Sequence, residues 1–247
     1  MHKKKVEPHP VLRDFYTESE YRQQKVNDMF DSAALHYDWI TDVMSFGSGR
    51  WYRRKALTNA GCRKGFRVLD VGAGTGVITG IAQHIVGPTG EAIALDPSKN
   101  MLLEAEKNGV RKVVQGHAET LPFEDNSFDL LTMGYALRHV DDLSKTFSEF
   151  LRVLKPSGKV LILEISRPEK AFSAFFLKLY LKFVVPNFAY FGRRGADSKV
   201  LMQYYWETIE NCVPPAVILE SLGDAGFSLP ARRVELGIFS EYSGLKG

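Results

Sequence analysis

Cysteine is scarce: Cys62 and Cys212 are the only two in 247 residues. Two lone cysteines exclude a disulfide-built scaffold and suit a reducing compartment. No His/Cys cluster has the spacing of metal ligands, so no metal is expected. No stretch of about 18 apolar residues runs free of charge, so no membrane-spanning helix is expected. The basic start "MHKKKVEPHPVL" has no apolar run behind it, which argues against a signal peptide. A net charge of +3 is too small to argue for nucleic acid. Repeats and low-complexity tracts are absent. What remains, 45% hydrophobic and 25% charged, suffices for one large domain with a full core. A cytoplasmic protein is expected.

Residues 1–20 are polar and are expected to be flexible. From Tyr21 to Tyr37, apolar residues recur every three or four positions, which predicts a helix. Five short Val/Ile/Leu-rich runs follow at 66–72, 91–96, 111–117, 128–134 and 159–166. Such runs suit strands buried on both faces of a parallel sheet. Helical patterns at 76–86, 98–108 and 142–154 separate them, which predicts a doubly wound α/β sheet. "KPSGK" (155–159) reads as a tight turn into the fifth strand. The rhythm breaks at "AFSAFFLKLYLKFVVPNFAYFG" (171–192), where Phe172, Phe175, Phe176, Leu179 and Phe183 keep helical spacing up to Pro186. This reads as a helical insertion, about 168–212. Helices over 204–211 and 215–225 and a strand pair within 232–242 complete the chain. The expected organisation is a single domain over 21–247, with an N-terminal helical cap at 21–60.

The sharpest local signal is "VLDVGAGTGVITG". A strand ends at Asp70, and Gly72, Gly74 and Gly76 precede a helix. Glycines there permit positive φ and close approach of a ligand. The dinucleotide fingerprint is G-x-G-x-x-G, and here the third glycine comes one residue early, which argues against a nicotinamide dehydrogenase. The loop also lacks the lysine of a P-loop. The next strand ends in Asp96, well placed to accept both hydroxyls of a ribose, or to cap the helix that follows. Glycine loop and ribose acid together suit S-adenosylmethionine better than a pyrophosphate.

"LDVGAGTG", "ALDPSKNML", "GHAETLPFEDNSFD" and "LRVLKPSGKVLILEIS" resemble the successive motifs of class I S-adenosylmethionine-dependent methyltransferases. "MFDSAALHYDWITDVMSFGSGRWYRR", "ALRHVDD", "LEISRP" and "WETIENCVPP" narrow the resemblance to the ubiquinone/menaquinone biosynthesis C-methyltransferases, over roughly residues 25–240. The resemblance implies a Rossmann-like fold with a seven-stranded, mostly parallel sheet whose last strand is antiparallel. It implies methyl transfer from S-adenosylmethionine to a ring carbon of a reduced polyprenyl quinone, leaving S-adenosylhomocysteine. By position, Gly72, Gly74 and Gly76 would line the methionine part of the cofactor, with Asp70 just ahead of them. Asp96 would take the ribose, Met101 would border adenine, and Tyr37 would close over the cofactor. His117, where the family usually has aspartate, would face the adenine amino group beside Ala118, and Gly134 would complete the cofactor set. The family's "LRN" is "LRH" here, so His139 replaces an asparagine. Thr41 stands where the family has another asparagine, and "SKVLMQYYWET" departs from its pattern.

Methylating a ring carbon requires alignment, removal of a hydroxyl proton and stabilisation of the phenolate. Arg138 and His139 follow the fourth strand, at the end where α/β sheets bind ligands. Arginine stays protonated, so Arg138 is expected to hold the oxyanion, and His139 to act as base. A capped helix start is the plainer alternative for both, and Asp141 and Asp142 suit a cap. Tyr135, Arg138, Tyr204 and Tyr205 are the expected acceptor contacts, with Trp206 as a further candidate. Glu164 is either a substrate contact or a partner for a backbone amide. The aromatic insertion, with Lys178 and Lys182 on one face, reads either as core or as a lid touching the inner membrane peripherally. The alternatives in function are methylation of another small aromatic metabolite and a non-catalytic cofactor-binding scaffold. Homodimerisation is left open.

Overall fold

The computed structural model describes residues 5–12, 15–16, 26–31, 49–166, 168, 175, 177–180 and 195–247, with 195–202 as backbone alone. Seven strands form one sheet: β1 (Arg67–Val71), β2 (Glu91–Asp96), β3 (Val113–Gln115), β4 (Phe128–Gly134), β5 (Leu154–Ile165), β6 (Phe227–Glu235) and β7 (Phe239–Lys246). Their order is β3-β2-β1-β4-β5-β7-β6. The pairs among β1 to β5 are parallel, and β7 runs antiparallel between β5 and β6. The expected fold class is thus observed. A register shift in the β4–β5 pairing, with Ser157 at φ 63°, falls within the turn expected over 155–159.

Period-two alternation divides the strands between two cores. Leu69, Val71, Ile93, Leu95, Leu131, Met133 and Ile162 face one side. There they meet Leu143, Phe147 and Phe150 of α4 (Leu143–Val153) and Ile218 and Leu222 of α6 (Pro215–Ala225). Val68, Ala92, Leu130, Leu161 and Leu163 face the other side. Their partners are α1 (Gly49–Asn59), through Tyr52, Ala56 and Leu57, and α2 (Val77–Val86), through Ile78, Ile81 and Ala82. Helix α3 (Lys99–Lys107) packs Leu102 and Ala105 against Ala94. A further cluster joins Tyr204, Tyr205, Trp206 and Ile209 of α5 (Gly195–Glu210) to Leu12, Tyr16, Val26 and Met29.

Helix ends follow the sequence. Ser98 accepts from the Met101 amide and Asp142 from the Ser144 amide, as N-caps do, and left-handed Gly226 ends α6. Helix α5 begins nine residues earlier than the helix expected over 204–211. Of the helix expected over 21–37, residues 26–31 are helical and the rest lie outside the described residues.

The flexible start expected for residues 1–20 does not hold for 5–12. The Val6 amide donates to Asp142 Oδ1 at 3.1 Å, and the Leu143 amide donates to the Val6 carbonyl at 2.8 Å. The Val213 amide donates to the Pro8 carbonyl at 2.8 Å, and His9 and Leu12 are buried. These backbone bonds, which polar composition does not reveal, hold the segment against α4 and the chain beyond α5.

Candidate active site

The sheet order reverses between β1 and β4, and ligands of α/β sheets bind at such a switch point beyond the carboxyl ends of the strands. Two adjoining cavities open there.

The first contains about 710 Å³ of empty space, part of it open to solvent. The site residues that line it are Gly72, Gly74, Asp96, Met101, His117, Ala118, Gly134, Tyr135 and His139. Gly72 and Gly74 have φ 65° and 56°, in the region that favours glycine. A Cβ on Gly72 would come within 2.5 Å of Ala136 Cβ, whereas one on Gly74 would meet nothing within 4 Å. The Gly74 amide donates to Asp96 Oδ2 at 2.8 Å, and the Ser98 amide to Asp96 Oδ1 at 2.9 Å. Burial pushes the Asp96 carboxyl up to about 6, against the pull of those two amides. Each carboxylate oxygen keeps a lone pair for a hydroxyl donor. Met101 is a buried apolar wall, and His117 stands exposed at the rim.

The second cavity is larger, with about 2010 Å³ of empty space, again partly open to solvent, and a mainly apolar wall. Trp51, Tyr52 and Arg53 of α1, Tyr180, Tyr205, Leu236 and Phe239 contribute to that wall. Gly72, Gly74, Gly134 and Tyr135 line both cavities. Asp70 borders this second space rather than the first. Its carboxylate accepts from Thr132 Oγ1 at 2.8 Å and Thr79 Oγ1 at 2.7 Å, which ties β1 to β4 and α2. Burial pushes Asp70 up to about 6, and the two threonine hydroxyls hold it from going higher.

Several expected site residues stand elsewhere. Gly76 lines neither cavity. At φ 81° it precedes α2, and a Cβ there would lie 2.5 Å from Val110 Cγ2, so it is a packing glycine. Arg138 is fully buried and lines neither cavity. Its Nε donates to Glu164 Oε2 at 2.9 Å, and its Nη1 to Thr208 Oγ1 at 3.0 Å. Longer contacts of 3.4 Å reach the Tyr205 and Tyr135 carbonyls. Burial works against the Arg138 cation, but Glu164, together with the Tyr205 phenol and the Cys212 thiol, holds the guanidinium charged. The other Glu164 oxygen accepts from the Leu137 amide at 2.9 Å, so Glu164 serves an amide and the guanidinium. Arg138 therefore fastens α5 to the sheet edge, and its donors do not reach the larger cavity. His139 lines the first cavity and not the second. Its Nδ1 shares a hydrogen bond of 3.1 Å with Tyr204 Oη, and its ring meets Phe30 edge-on at 5.1 Å. Tyr204 thus supports His139 and lines neither cavity, while Tyr205 lines the second. Trp206 is core: its Nε1 donates to Glu210 and Lys178 stacks on its ring. Tyr37 and Thr41 lie outside the described residues.

The sequence reading missed Asn27, Phe30, Ser98 and Glu119 of the first cavity and most of the second wall. Asp31 and Ser98 are hydrogen-bonded, which brings the 26–31 helix to the first cavity. Of the sequence signals, the helical cap expected over 21–60 and the resemblance of the stretch ending in "GRWYRR" mark α1. Among the described residues, no group of three or more His, Cys, Asp or Glu could hold a metal, and no helix is long and apolar enough to cross a membrane.

A glycine loop and an acid at consecutive strand ends, on this strand order, define a class I S-adenosylmethionine-dependent methyltransferase. The fold matches a SAM-dependent methyltransferase from Aquifex aeolicus with a TM-score of 0.58 at 22% identity, covering 79% of this chain and 89% of that one. It also matches phosphoethanolamine N-methyltransferase 2 of Haemonchus contortus, solved with S-adenosyl-L-methionine, with a TM-score of 0.61 at 19% identity, covering 87% of this chain and 57% of that one. More narrowly, the chain belongs to the ubiE/COQ5 methyltransferase family, whose model matches residues 18–246. It is 37% identical over 217 residues to the ubiquinone/menaquinone biosynthesis C-methyltransferase UbiE of Shewanella piezotolerans, covering 85% of each chain.

Proposed function

We propose that this enzyme methylates a ring carbon of a reduced prenylated quinone, with S-adenosylmethionine as donor. The observation that carries the proposal is the junction of the two cavities along Gly72, Gly74, Gly134 and Tyr135. A small cavity with a carboxylate fits the cofactor, and a large, mainly apolar one fits an aromatic head with an isoprenoid tail. The name carried by the Shewanella relative supports this acceptor class.

When bound, the cofactor supplies an electrophilic methyl group. Asp96 accepts from the ribose hydroxyls, Gly72 and Gly74 let the methionine part approach the backbone, and Met101 and Ala118 border the base. His117 offers a ring nitrogen to the adenine amino group. Tyr135 and Tyr205 guide the acceptor ring. Arg138 and His139 act as positioning residues: Arg138 locks the 137–139 turn, and His139 closes the cofactor side. Among the described residues, Val26, Asn27 and Phe30 close the cofactor cavity, and α1, Leu177, Tyr180 and Tyr205 close the acceptor cavity. No step in this reading calls for a metal.

A peripheral contact with a bilayer belongs to the same proposal. Trp51 is 65% exposed and Leu236 82% exposed, and both stand on the wall of the acceptor cavity. Lys178, by contrast, is engaged with Glu210 at 3.7 Å and with Trp206.

Incubation with labelled S-adenosylmethionine and a lipid extract, followed by mass spectrometry, tests the reading. The expected product is a prenylated quinol heavier by one methylene. Turnover confined to soluble, tail-less phenols would replace it with methylation of another small aromatic metabolite.

A further inference from the structure

The acceptor cavity needs a group that can hold a negative oxygen, and Arg138 is buried away from it. Four other charged side chains stand on the wall: Arg53, Lys55, Asp70 and Glu235. Lys55 and Glu235 form an ion pair at 3.4 Å. Asp70 is engaged by its two threonines. Arg53 is half-buried, and among the described residues no carboxylate lies within ion-pair distance of it. Its guanidinium carbon sits 5.0 Å above the centre of the Tyr135 ring.

Tyr135 is itself unusual. It has φ 61° although it is not glycine, a conformation that persists where the surroundings enforce it, often at functional sites. Its amide donates to the Leu163 carbonyl at 2.7 Å, and its carbonyl receives Arg138 Nη2 at 3.4 Å. The backbone of Tyr135 is therefore fixed where the two cavities meet, and its ring lies against Arg53. A cation facing a mainly apolar space interacts strongly with an anion placed there, and arginine offers a planar fork of donors that stays charged.

We propose that Arg53 is the oxyanion-holding catalytic residue of the acceptor cavity and that Tyr135 positions it. The proposal rests on the acceptor reading above. The acceptor hydroxyl loses its proton to water, and Arg53 holds the resulting phenolate oxygen. The oxygen's electron pair moves into the ring, and the ring carbon forms its bond to the methyl group. The methyl–sulfur bond breaks, with its pair kept by sulfur. The ring carbon then releases its own hydrogen as a proton, while the oxygen takes one back from water. The net change is one C–H replaced by C–CH₃, one sulfonium converted to a thioether and one proton released.

A nitrophenol carrying a short prenyl chain reports on this site by its colour, with the full-length protein. Bound to wild type, its phenol should ionise at least about one pH unit below the free probe. Arg53→Gln should abolish that shift, and Arg53→Lys should keep part of it, while both variants hold S-adenosylhomocysteine with unchanged Kd. On a prenylated quinol, Arg53→Gln should lower kcat about 100-fold and move the acidic limb of the kcat profile to higher pH. A bound probe that ionises at the same pH in wild type and Arg53→Gln would overturn the role of Arg53 and leave the acceptor reading intact. A probe that fails to bind wild type, together with no methylation of any prenylated quinol, would overturn both.

Discussion

The two cavities are built by opposite means. The cofactor cavity takes its decisive contacts from short consecutive stretches: the 72–74 loop, the 96–101 strand end and helix start, and residues 117–119. Backbone amides and one carboxylate fix its shape. The acceptor cavity draws its wall from α1, the chain near 180, α5 and the turn between β6 and β7. Those segments are spread from residue 49 to residue 239, and beyond the glycines shared with the first cavity, side chains make the surface. A site of the first kind is held by the sheet itself. A site of the second kind depends on how the outer elements are fastened to the sheet, and its acceptor specificity can change without disturbing the fold.

The largest test of that division is Glu164, which lies beneath both sites. Glu164→Ala leaves the buried Arg138 cation without its carboxylate, and removing one partner of such a pair costs about 3–5 kcal/mol. A large fall in Tm, with cofactor and acceptor binding weakened together, is expected. Loss of acceptor binding alone would show that the fastening serves only the outer cavity.

Asp70 offers the next effect. Its ordinary value of 3.8 rises to about 6 in the folded protein. The folded state therefore keeps a proton between about pH 4 and pH 6 that the unfolded chain releases. The stabilisation is full below about pH 4 and is lost as pH rises through 6, a change of about 3 kcal/mol. Asp70→Asn should lack this dependence, so thermal denaturation of both proteins from pH 4 to pH 7 should diverge in the variant's favour. Parallel curves would mean that Asp70 ionises normally.

Asp96 separates the cavities most cleanly. Asp96→Ala should weaken cofactor binding by about thirtyfold, on the order of 2 kcal/mol for lost hydrogen bonds to a charged group, with acceptor affinity unchanged. In wild type, cofactor affinity measured by calorimetry should rise as pH passes upward through about 6, because hydroxyl donors favour the ionised carboxylate. The smallest effect belongs to Tyr204. Tyr204→Phe removes the 3.1 Å bond to His139 and should weaken cofactor binding about fivefold, near 1 kcal/mol, with KM for the acceptor unmoved. A change in acceptor KM instead would place His139 on the other side of the junction.

Legibility in the sequence follows the same division. The β4 run at 128–134 is read to the residue, because a strand buried on both faces is an uninterrupted apolar run. Gly72, Gly74 and Asp96 are legible because loop chemistry is local. Gly76 belongs to the same run of glycines, but its reason is Val110, thirty-four residues away, which no local pattern announces. Arg138 misleads for a related reason: charge after a buried strand looks like an active site, and only the fold reveals Glu164 and Thr208 waiting beneath it. Arg53 lies in a stretch that the resemblance marks without giving it a role, and its place against Tyr135 is seen only in the fold.

The opening segment of the chain has a consequence for synthesis. Residues 5–12 are synthesised well before their partners Asp142, Leu143 and Val213. This stretch must wait until residue 213 is made before its last partner exists. Contacts of such long sequence separation form late. The segment therefore docks as a closing clasp on an already assembled sheet, and strain applied at residues 5–12 should first be felt where α4 starts.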